Sequence, residues 1–298
     1  MSDQAIEINN LTVRYGRNTA VDGVSLNVER GAVYALLGRN GAGKSSLIRC
    51  LLGQQKADAG DVRLFGDDVW RRRAALMQRV GVVSEDSDAP PEMSVGALAR
   101  FSACLYARWE QESFEARMRT FSIPLTSRFR TLSKGQKKQV SLALALAMSP
   151  DLIVLDDPTL GLDVVARKSL FEEVIGELAD RGISVFVTTH DLAGVETFAD
   201  RVGILRRGKL VLDEDADALR SRFRRIRFAS QPVALEAGGL AATRLRSWGA
   251  GAEAIVSNYD DIAFERFRAT SGVAAAEIDP MTLEEIFVAV AGENGAAQ

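Results

Sequence analysis

The sequence predicts an α/β protein with a smaller α+β domain at its C-terminal end. Two apolar runs, 33–37 and 152–155, lead directly into polar residues, as buried parallel strands do at their carboxyl ends. The first run is followed by a glycine-rich segment and then by helical apolar spacing. Past about residue 217 the composition shifts to clustered arginines and then to glycine and alanine. We therefore expect two domains, at 1–216 and 217–298.

Composition narrows the class of protein. The 37 basic and 40 acidic residues leave a formal charge of -3, so the overall charge does not favour nucleic acid or an anionic membrane surface. The N-terminus lacks the pattern of a signal peptide, and each apolar run is too short to cross a bilayer. Cys50 and Cys104 lie in apolar helical stretches, which predicts two buried thiols in a reducing compartment. We expect a soluble, cytoplasmic protein.

The N-terminal half predicts strands first and helices later. Alternating apolar residues up to residue 28 predict short antiparallel strands, broken at Gly16 and at Asp22-Gly23. The helix after the glycine-rich segment is expected to stop at Gly53. Strand patterns then occupy 62–67 and 80–83, and helical patterns occupy 95–109 and 139–148. This order indicates a helical layer, at about 86–150, inserted into an α/β core.

Residues 38–45, Gly-Arg-Asn-Gly-Ala-Gly-Lys-Ser, match the pattern GxxxxGK[ST] between a predicted strand and a predicted helix. Glycines let successive backbone N–H groups point at phosphate oxygens, and the helix adds its positive end. Lys44 can reach the β- and γ-phosphates, and the Ser45 hydroxyl can bind Mg²⁺. Tyr15 either stacks on an adenine or is a half-exposed tyrosine at a strand end. The predicted nucleotide contacts here are Tyr15, Gly38, Asn40, Gly41, Ala42, Gly43, Lys44, Ser45 and Ser46.

The second half continues the α/β pattern. Residues 151–158 predict a buried strand that ends in Asp156 and Asp157, at the sheet edge where α/β proteins bind ligands. A helix is expected at 170–178, and then a buried strand at 183–189 that leads to His190, the single histidine of the chain. The remaining predicted elements are a hairpin at 202–212, strands at 224–228 and 254–257, and helices at 262–268 and 283–290. The arginines between 220 and 227 suggest a solvated face or a partner surface rather than a nucleic-acid site, because aromatic stacking residues do not accompany them.

Over about residues 6–212 these motifs resemble the ATP-binding subunit of an ABC transporter. Besides the phosphate loop, Leu-Ser-Lys-Gly-Gln at 132–136 is similar to the family signature, Asp-Asp-Pro at 156–158 to the second nucleotide motif, Leu-Gly-Leu-Asp at 160–163 to the loop after it, and Thr-His-Asp at 189–191 to the switch histidine. Residues 280–287 resemble the C-terminal appendix of export-type members. The resemblance implies a P-loop NTPase core with an antiparallel β subdomain and an inserted helical subdomain. It also implies ATP and Mg²⁺, a homodimer or a paired ABC subunit, and no nucleic acid. Separate transmembrane permease subunits would hold this chain on the cytoplasmic face of the membrane.

The resemblance also implies roles for single residues. Lys44 would neutralise the γ-phosphate, while Ser45 and Asp156 hold the metal. His190 would orient the γ-phosphate and the attacking water. Signature residues of one subunit would complete the ATP site of another across a two-fold interface. The residues that the resemblance adds to the nucleotide contacts are Glu85, Ser133, Gly135, Gln136 and Asp163.

The chain departs from the family pattern at three positions. Asp157 stands where the family has a glutamate, so its carboxylate is withdrawn from the attacking water by about 1.5 Å, and slower hydrolysis is expected. Glu85 replaces a glutamine that senses Mg²⁺ and the membrane subunit, so it is a further candidate metal ligand and coupling residue. Lys134 replaces a signature glycine, and its ammonium either meets phosphate or faces solvent.

Three functions remain open at this point. The first is an ATPase that powers a transporter, with export favoured by the C-terminal resemblance. The second is a regulatory or slow nucleotide-binding module, which Asp157 favours. The third is an ABC ATPase that acts on nucleic acid or the ribosome, although such relatives carry a second cassette, a long coiled coil or zinc-binding cysteines, which this sequence lacks.

Overall fold

The computed structural model describes residues 3–86, 89–189, 194–229, 239–249, 251–271 and 276–291. The chain forms two compact units, Met1–Asp213 and Glu214–Gln298. In the first unit the elements are β1 (Gln4–Tyr15), β2 (Asn18–Glu29), β3 (Val33–Leu37), α1 (Lys44–Leu51), β4 (Ala59–Leu64), β5 (Asp67–Asp68), α2 (Val69–Met77), β6 (Val80–Val83), α3 (Val95–Leu105), α4 (Gln111–Thr120), α5 (Lys134–Ala147), β7 (Leu152–Asp156), α6 (Val164–Arg181), β8 (Ser184–Thr189), β9 (Arg201–Arg206) and β10 (Lys209–Asp215), the last of which ends just past the boundary.

An antiparallel sheet with the strand order β2-β1-β4-β5 contains the N-terminal strands. The predicted antiparallel pairing and the break at Gly16 are confirmed, since Gly16 lies in the turn between β1 and β2. The predicted short strands and the break at Asp22-Gly23 were wrong, because β1 and β2 are continuous over 12 residues each. The pairs Leu11↔Val24 and Val13↔Val21 show that β2 uses one more residue than β1 between them. Gly23, with φ +64°, supplies this bulge. A glycine that looks like a strand break in the sequence is therefore a bulge inside a strand.

The central sheet has the order β10-β9-β3-β8-β7-β6, and its inner strands pair in parallel. Every residue of β3 and β8 is buried, which confirms the prediction of covered parallel strands. Because β3, β7 and β8 point the same way, their carboxyl ends meet at one edge of the sheet. This edge receives the glycine-rich loop after β3 and the two aspartates at the end of β7.

The inserted helical layer consists of α3, α4 and α5, which share a core separate from that of the sheets. Buried members of this core include Val95, Leu98, Phe114, Met118, Phe129 and Val140. The predicted helix 95–109 ends at Leu105, and the predicted helix 139–148 begins earlier, at Lys134. The sequence did not predict α2 or α4. Cys50 is buried as expected, but the prediction of a buried Cys104 was wrong, because α3 buries only the face that carries Val95, Leu98 and Ala99.

The second unit is a small α+β fold. Its elements are α7 (Ala216–Arg222), β11 (Arg224–Phe228), β12 (Ala242–Trp248), β13 (Gly251–Val256), α8 (Asp261–Ser271), β14 (Ala276–Pro280) and α9 (Leu283–Ala291), and its antiparallel sheet has the order β12-β13-β11-β14. The sequence did not indicate β12 or β14. Arginines of the junction form ion pairs within the unit, since Arg225 contacts Glu253 and Glu285, and Arg227 contacts Asp279.

Throughout the described ranges, no helix is both long and apolar enough to cross a membrane.

Candidate functional site

The loop between β3 and α1 encloses the amino group of Lys44. Gly43 caps α1 in a left-handed conformation with φ +112°, and Lys44 is the first residue of the helix. The Lys44 side chain turns back over the loop, where its Nζ donates to the carbonyl oxygen of Gly38 at 2.7 Å. It also lies 3.6 Å from Oδ2 of Asp157, and its side chain is only 6% exposed. A buried cation is thus held between the carbonyl oxygen of Gly38 and the carboxylate of Asp157.

Two glycines of this loop are required by close backbone contacts. A Cβ atom on Gly43 would overlap the carbonyl oxygen of Ala20 in β2. A Cβ atom on Gly38 would lie 2.9 Å from the carbonyl oxygen of Leu205 in β9. The turn after β9 also restrains the loop, because the N–H of Gly208 donates to the carbonyl of Ala42 at 2.9 Å. Two strands and a turn therefore fix the loop in an open, cradle-like shape.

A cavity of about 400 Å³ lies above this loop. It brings together ten residues singled out from the sequence: Tyr15, Asn40, Gly41, Ala42, Gly43, Lys44, Ser45, Ser46, Glu85 and Asp157. Four other lining residues were not predicted as nucleotide contacts, although two of them lie within predicted motifs: Asn18, Ala20, Arg39 and Leu160. Asn18 and Ala20 enter the cavity because the β1–β2 hairpin folds over the loop, and this contact leaves no local signal in the sequence.

Tyr15 lines the cavity and is 43% exposed as a residue. Its hydroxyl donates to Oε1 of Gln55 at 2.6 Å and accepts from Oγ of Ser46 at 3.3 Å. The hydrogen bond from Ser46 lowers the pKa of Tyr15 below its usual value. Hydrogen bonds thus fix the hydroxyl while part of the residue stays exposed. Both properties would let a flat ligand stack on the Tyr15 ring.

The two aspartates after β7 share Thr188 of β8. Oδ1 of Asp156 accepts from the Thr188 hydroxyl at 2.7 Å, and the N–H of Asp157 donates to the Thr188 carbonyl at 2.9 Å. Burial raises the pKa of Asp156, and the neighbouring charge of Asp157 adds to this effect. A carboxylate in such surroundings gains from a nearby cation. Asp157 itself has φ +41°, a left-handed conformation that aspartate tolerates better than most residues.

Comparison with known proteins decides the family. A family model described as "ABC transporter" matches residues 21–160. The chain is 34% identical over 229 residues to "Nod factor export ATP-binding protein I" of Paraburkholderia xenovorans (strain LB400), across 74% of this chain and 73% of that protein. The chain belongs to the ATP-binding subunits of ABC transporters. It is also 30% identical over 225 residues to "Bacitracin transport ATP-binding protein BcrA" of Bacillus licheniformis, across 74% and 72% of the two chains.

The fold agrees with this membership. The solved structure of an "ATP binding subunit of ABC transporter" superposes with a TM-score of 0.67 at 27% identity, and the match covers 73% of this chain and 92% of that one. The resemblance drawn from the motifs is therefore confirmed, as is the P-loop α/β fold. The family couples ATP hydrolysis to transport, so this ABC subunit is an ATPase.

The signature segment of this ABC subunit lies away from its own cavity. Ser133 and Gln136 form a capping box at the start of α5, in which the Ser133 Oγ accepts from the Gln136 N–H at 3.2 Å and the Gln136 Oε1 accepts from the Ser133 N–H at 3.0 Å. Neither these residues nor Gly135 and Asp163 line the cavity. Asp163 instead caps α6, with its Oδ1 accepting from the N–H of Ala166 at 2.8 Å.

Lys134, the unusual signature residue, is exposed and folds across the loop that precedes α6. The Lys134 Nζ lies against Gly161, since a Cβ atom there would be 2.7 Å away. Gly161 has φ +73°, a backbone conformation that favours glycine. The signature segment (132–136) and the loop at 160–163 are therefore in contact within one chain. His190, the remaining predicted catalytic residue, lies outside the described residues.

Proposed function

We propose that this subunit binds Mg-ATP in the cavity above the phosphate loop and hydrolyses it to power an exporter with separate membrane subunits. The observation that carries the proposal is the convergence of the loop, Glu85 and Asp157 on one cavity around the buried Lys44 ammonium. A triphosphate is the ligand that such a cradle suits, because the loop supplies N–H donors, Lys44 supplies charge, and the exposed ring of Tyr15 can stack on a base.

Ser45, Asp156 and Glu85 are the residues that we propose hold Mg²⁺. Within the described ranges, no group of three His, Cys, Asp or Glu side chains could hold a metal alone. One hydroxyl and two carboxylates suit Mg²⁺, which usually takes one or two carboxylates and completes its shell with water and phosphate oxygens. The raised pKa of Asp156 also fits, since a nearby cation would favour its charged form. When bound, the metal ion neutralises phosphate charge during transfer.

Asp157 is the group that we propose accepts the proton of the attacking water. Its carboxylate already contacts Lys44 at 3.6 Å in a buried setting, so it lies beside the position that the γ-phosphate must occupy. The short side chain and the pairing with Lys44 both favour slow turnover. We assign His190 to orienting the γ-phosphate, as the family motif implies.

A second copy, or a paired ABC subunit, is needed to complete the site. Ser133, Gly135 and Gln136 do not reach their own chain's cavity, whereas the start of α5 presents N–H donors to an anion. Val164 and Val165, which follow Asp163, are each 78% exposed. Exposed apolar side chains beside the motif support burial against a partner. We propose a head-to-tail dimer that ATP holds together and hydrolysis releases.

Export is the proposed direction, and the cargo belongs to the membrane partner. The two relatives are named for different cargoes, Nod factor and bacitracin, although both resemble this chain to a similar extent. We propose that the permease docks between the core and the helical layer, near 85–100. Phe101 and Leu105, in the part of α3 that follows this range, are exposed and support the site. The subunit would then lie on the cytoplasmic face of the membrane.

Equilibrium binding of Mg-ATP and steady-state ATPase activity with the co-purified membrane protein test this proposal. Lys44→Ala should abolish turnover and weaken binding, because it removes the buried cation. Lys56→Ala, at an exposed lysine, is the control and should behave as wild type. Binding without any turnover would instead indicate the regulatory module that Asp157 favours, and an unchanged Lys44→Ala variant would contradict both.

A further inference from the structure

Lys138 of α5 is a fully buried lysine, with a relative exposure of 0%. Its Nζ donates to the backbone carbonyl of Ser84 at 2.5 Å. Burial lowers its pKa to about 8. The charged groups around it are Lys134 on its own helix, Asp156 at the end of β7, and Glu85 with Asp86 in the loop after β6. A buried charge is costly, and an apolar side chain of similar length would avoid this cost.

The accepting carbonyl belongs to a short loop that reaches the nucleotide cavity. In this loop the Ser84 hydroxyl donates to the carbonyl of Asp86 at 2.7 Å, so the segment is closed on itself. Glu85, between the two, lines the cavity. A shift of Glu85 toward or away from a nucleotide must therefore move the carbonyl that Lys138 holds.

The donor of this hydrogen bond, Lys138, lies close to the signature segment. Lys138 lies on the second turn of α5, which begins at Lys134 and is capped by Ser133. The residues that we assign to the nucleotide site of the second copy, Ser133, Gly135 and Gln136, lie just before Lys138 in this segment. One hydrogen bond thus connects a segment facing the chain's own ATP with a segment facing the partner's ATP.

A second contact indicates that α5 and β6 lie closely antiparallel. A Cβ atom on Gly81 would lie 2.9 Å from the carbonyl oxygen of Ala145, so the helix and strand backbones nearly touch there. From Ala145 back to Lys138 the helix rises about 10 Å, and from Gly81 to Ser84 the strand rises about 10 Å. The two contacts therefore match in spacing, and the start of α5 points to the same edge as the end of β6.

We propose that Lys138 is a positioning residue that ties the Glu85 loop to the start of α5, so that nucleotide binding in one cavity sets the position of the signature segment used by the partner. This inference rests on the proposed function. An ammonium suits the task because it donates only and is attracted to the acidic loop that it holds. Lys138 touches no reacting atom. Its role is to couple a movement of the Glu85 loop at one ATP site to a movement of the signature segment at the other.

Hydrogen exchange combined with steady-state kinetics tests the proposal on the full-length chain. Lys138→Met removes the donor and the charge at similar length, and Lys138→Gln restores a neutral donor. The control is Lys137→Met, which removes a charge from the same helix, where the ammonium lies 5.5 Å from the centre of the Phe129 ring and not at Ser84.

In the wild type, Mg-ATP should protect the amides of both 84–86 and 133–138. Lys138→Met should keep protection only in 84–86, bind Mg-ATP within about threefold of wild type, and lose about tenfold or more in kcat with little change in KM. Lys138→Gln should recover part of the rate, and Lys137→Met should match the wild type. The proposal is overturned if Lys138→Met keeps both protections and its kcat, or if it only lowers the melting temperature while kcat per folded molecule is unchanged.

Failure of the proposed function would look different. If the wild type itself does not bind Mg-ATP, the assignment of the cavity is wrong. The hydrogen bond from Lys138 is then tested by hydrogen exchange of the variants without nucleotide. Faster exchange of 84–86 in Lys138→Met, but not in Lys137→Met, then upholds the tie between the loop and α5. Equal exchange rates in the two variants overturn it.

Discussion

Replacing Asp157 by glutamate should raise ATP turnover while lowering stability. Glutamate extends the carboxylate by about 1.5 Å, from a position where Oδ2 lies 3.6 Å from the Lys44 Nζ, toward the place of the attacking water. A misplacement of this order can cost about a hundredfold in rate, which corresponds to about 2.7 kcal/mol in the activation barrier. We therefore expect kcat of Asp157→Glu to rise by about tenfold to a hundredfold.

The backbone at this position opposes the change. Asp157 has φ +41°, and aspartate adopts the left-handed region more readily than glutamate does. We expect a loss of about 1 kcal/mol in the free energy of unfolding, or about 2–4 °C in melting temperature for a unit of this size.

The assay is ATP turnover with the membrane partner, normalised to the folded fraction. Asp157→Asn is the matched control, because it tolerates the same backbone but cannot accept a proton, and its turnover should fall below wild type. If Asp157→Glu turns over no faster than wild type at equal folded fraction, the short side chain is not what limits the rate.

Three other experiments probe the site and its surroundings. Gly43→Ala should weaken Mg-ATP binding by at least about tenfold, because its Cβ would overlap a backbone carbonyl; Gly176→Ala, in the open middle of α6, should leave binding unchanged and stabilise the chain by about 0.5–1 kcal/mol. A maleimide should label one thiol per folded chain, at the exposed Cys104, since Cys50 is buried with its pKa raised to about 11; two labels in the native protein would contradict the packing of α1. His190→Ala should abolish turnover while ATP binding persists, and retained turnover would argue for a structural histidine.

Much of the site was predictable because its motifs are local. The phosphate loop carries its glycines, its lysine and its flanking apolar strand within a short segment, and Asp156 and Asp157 follow a run of buried residues. Thr188, by contrast, is an ordinary β-branched residue of β8, and only the alignment of β7 with β8 brings it to both aspartates. Asn18 was likewise not predictable, because it lines the cavity only once β1 and β2 have paired as a hairpin.

The fold, like the site, has parts that the sequence predicts and parts that it does not. Fully buried strands such as β3 and β8 were predictable, because both of their faces are apolar. The continuity of β2 was not, since Gly23 breaks the strand pattern in sequence but serves as a bulge once β1 pairs with it. The exposure of Cys104 escaped prediction because it depends on which face of α3 the other helices cover.

The central claim is that the nucleotide site of one chain is completed by the signature segment of another. Light scattering on Asp157→Asn, which should hydrolyse ATP more slowly than wild type, measures this directly as the molar mass with and without Mg-ATP. The account predicts a monomer without nucleotide, a dimer at saturating Mg-ATP, and no dimer when Ser133→Ala or Lys44→Ala is added. A monomer with ATP bound, or a dimer that forms regardless of nucleotide, would contradict it.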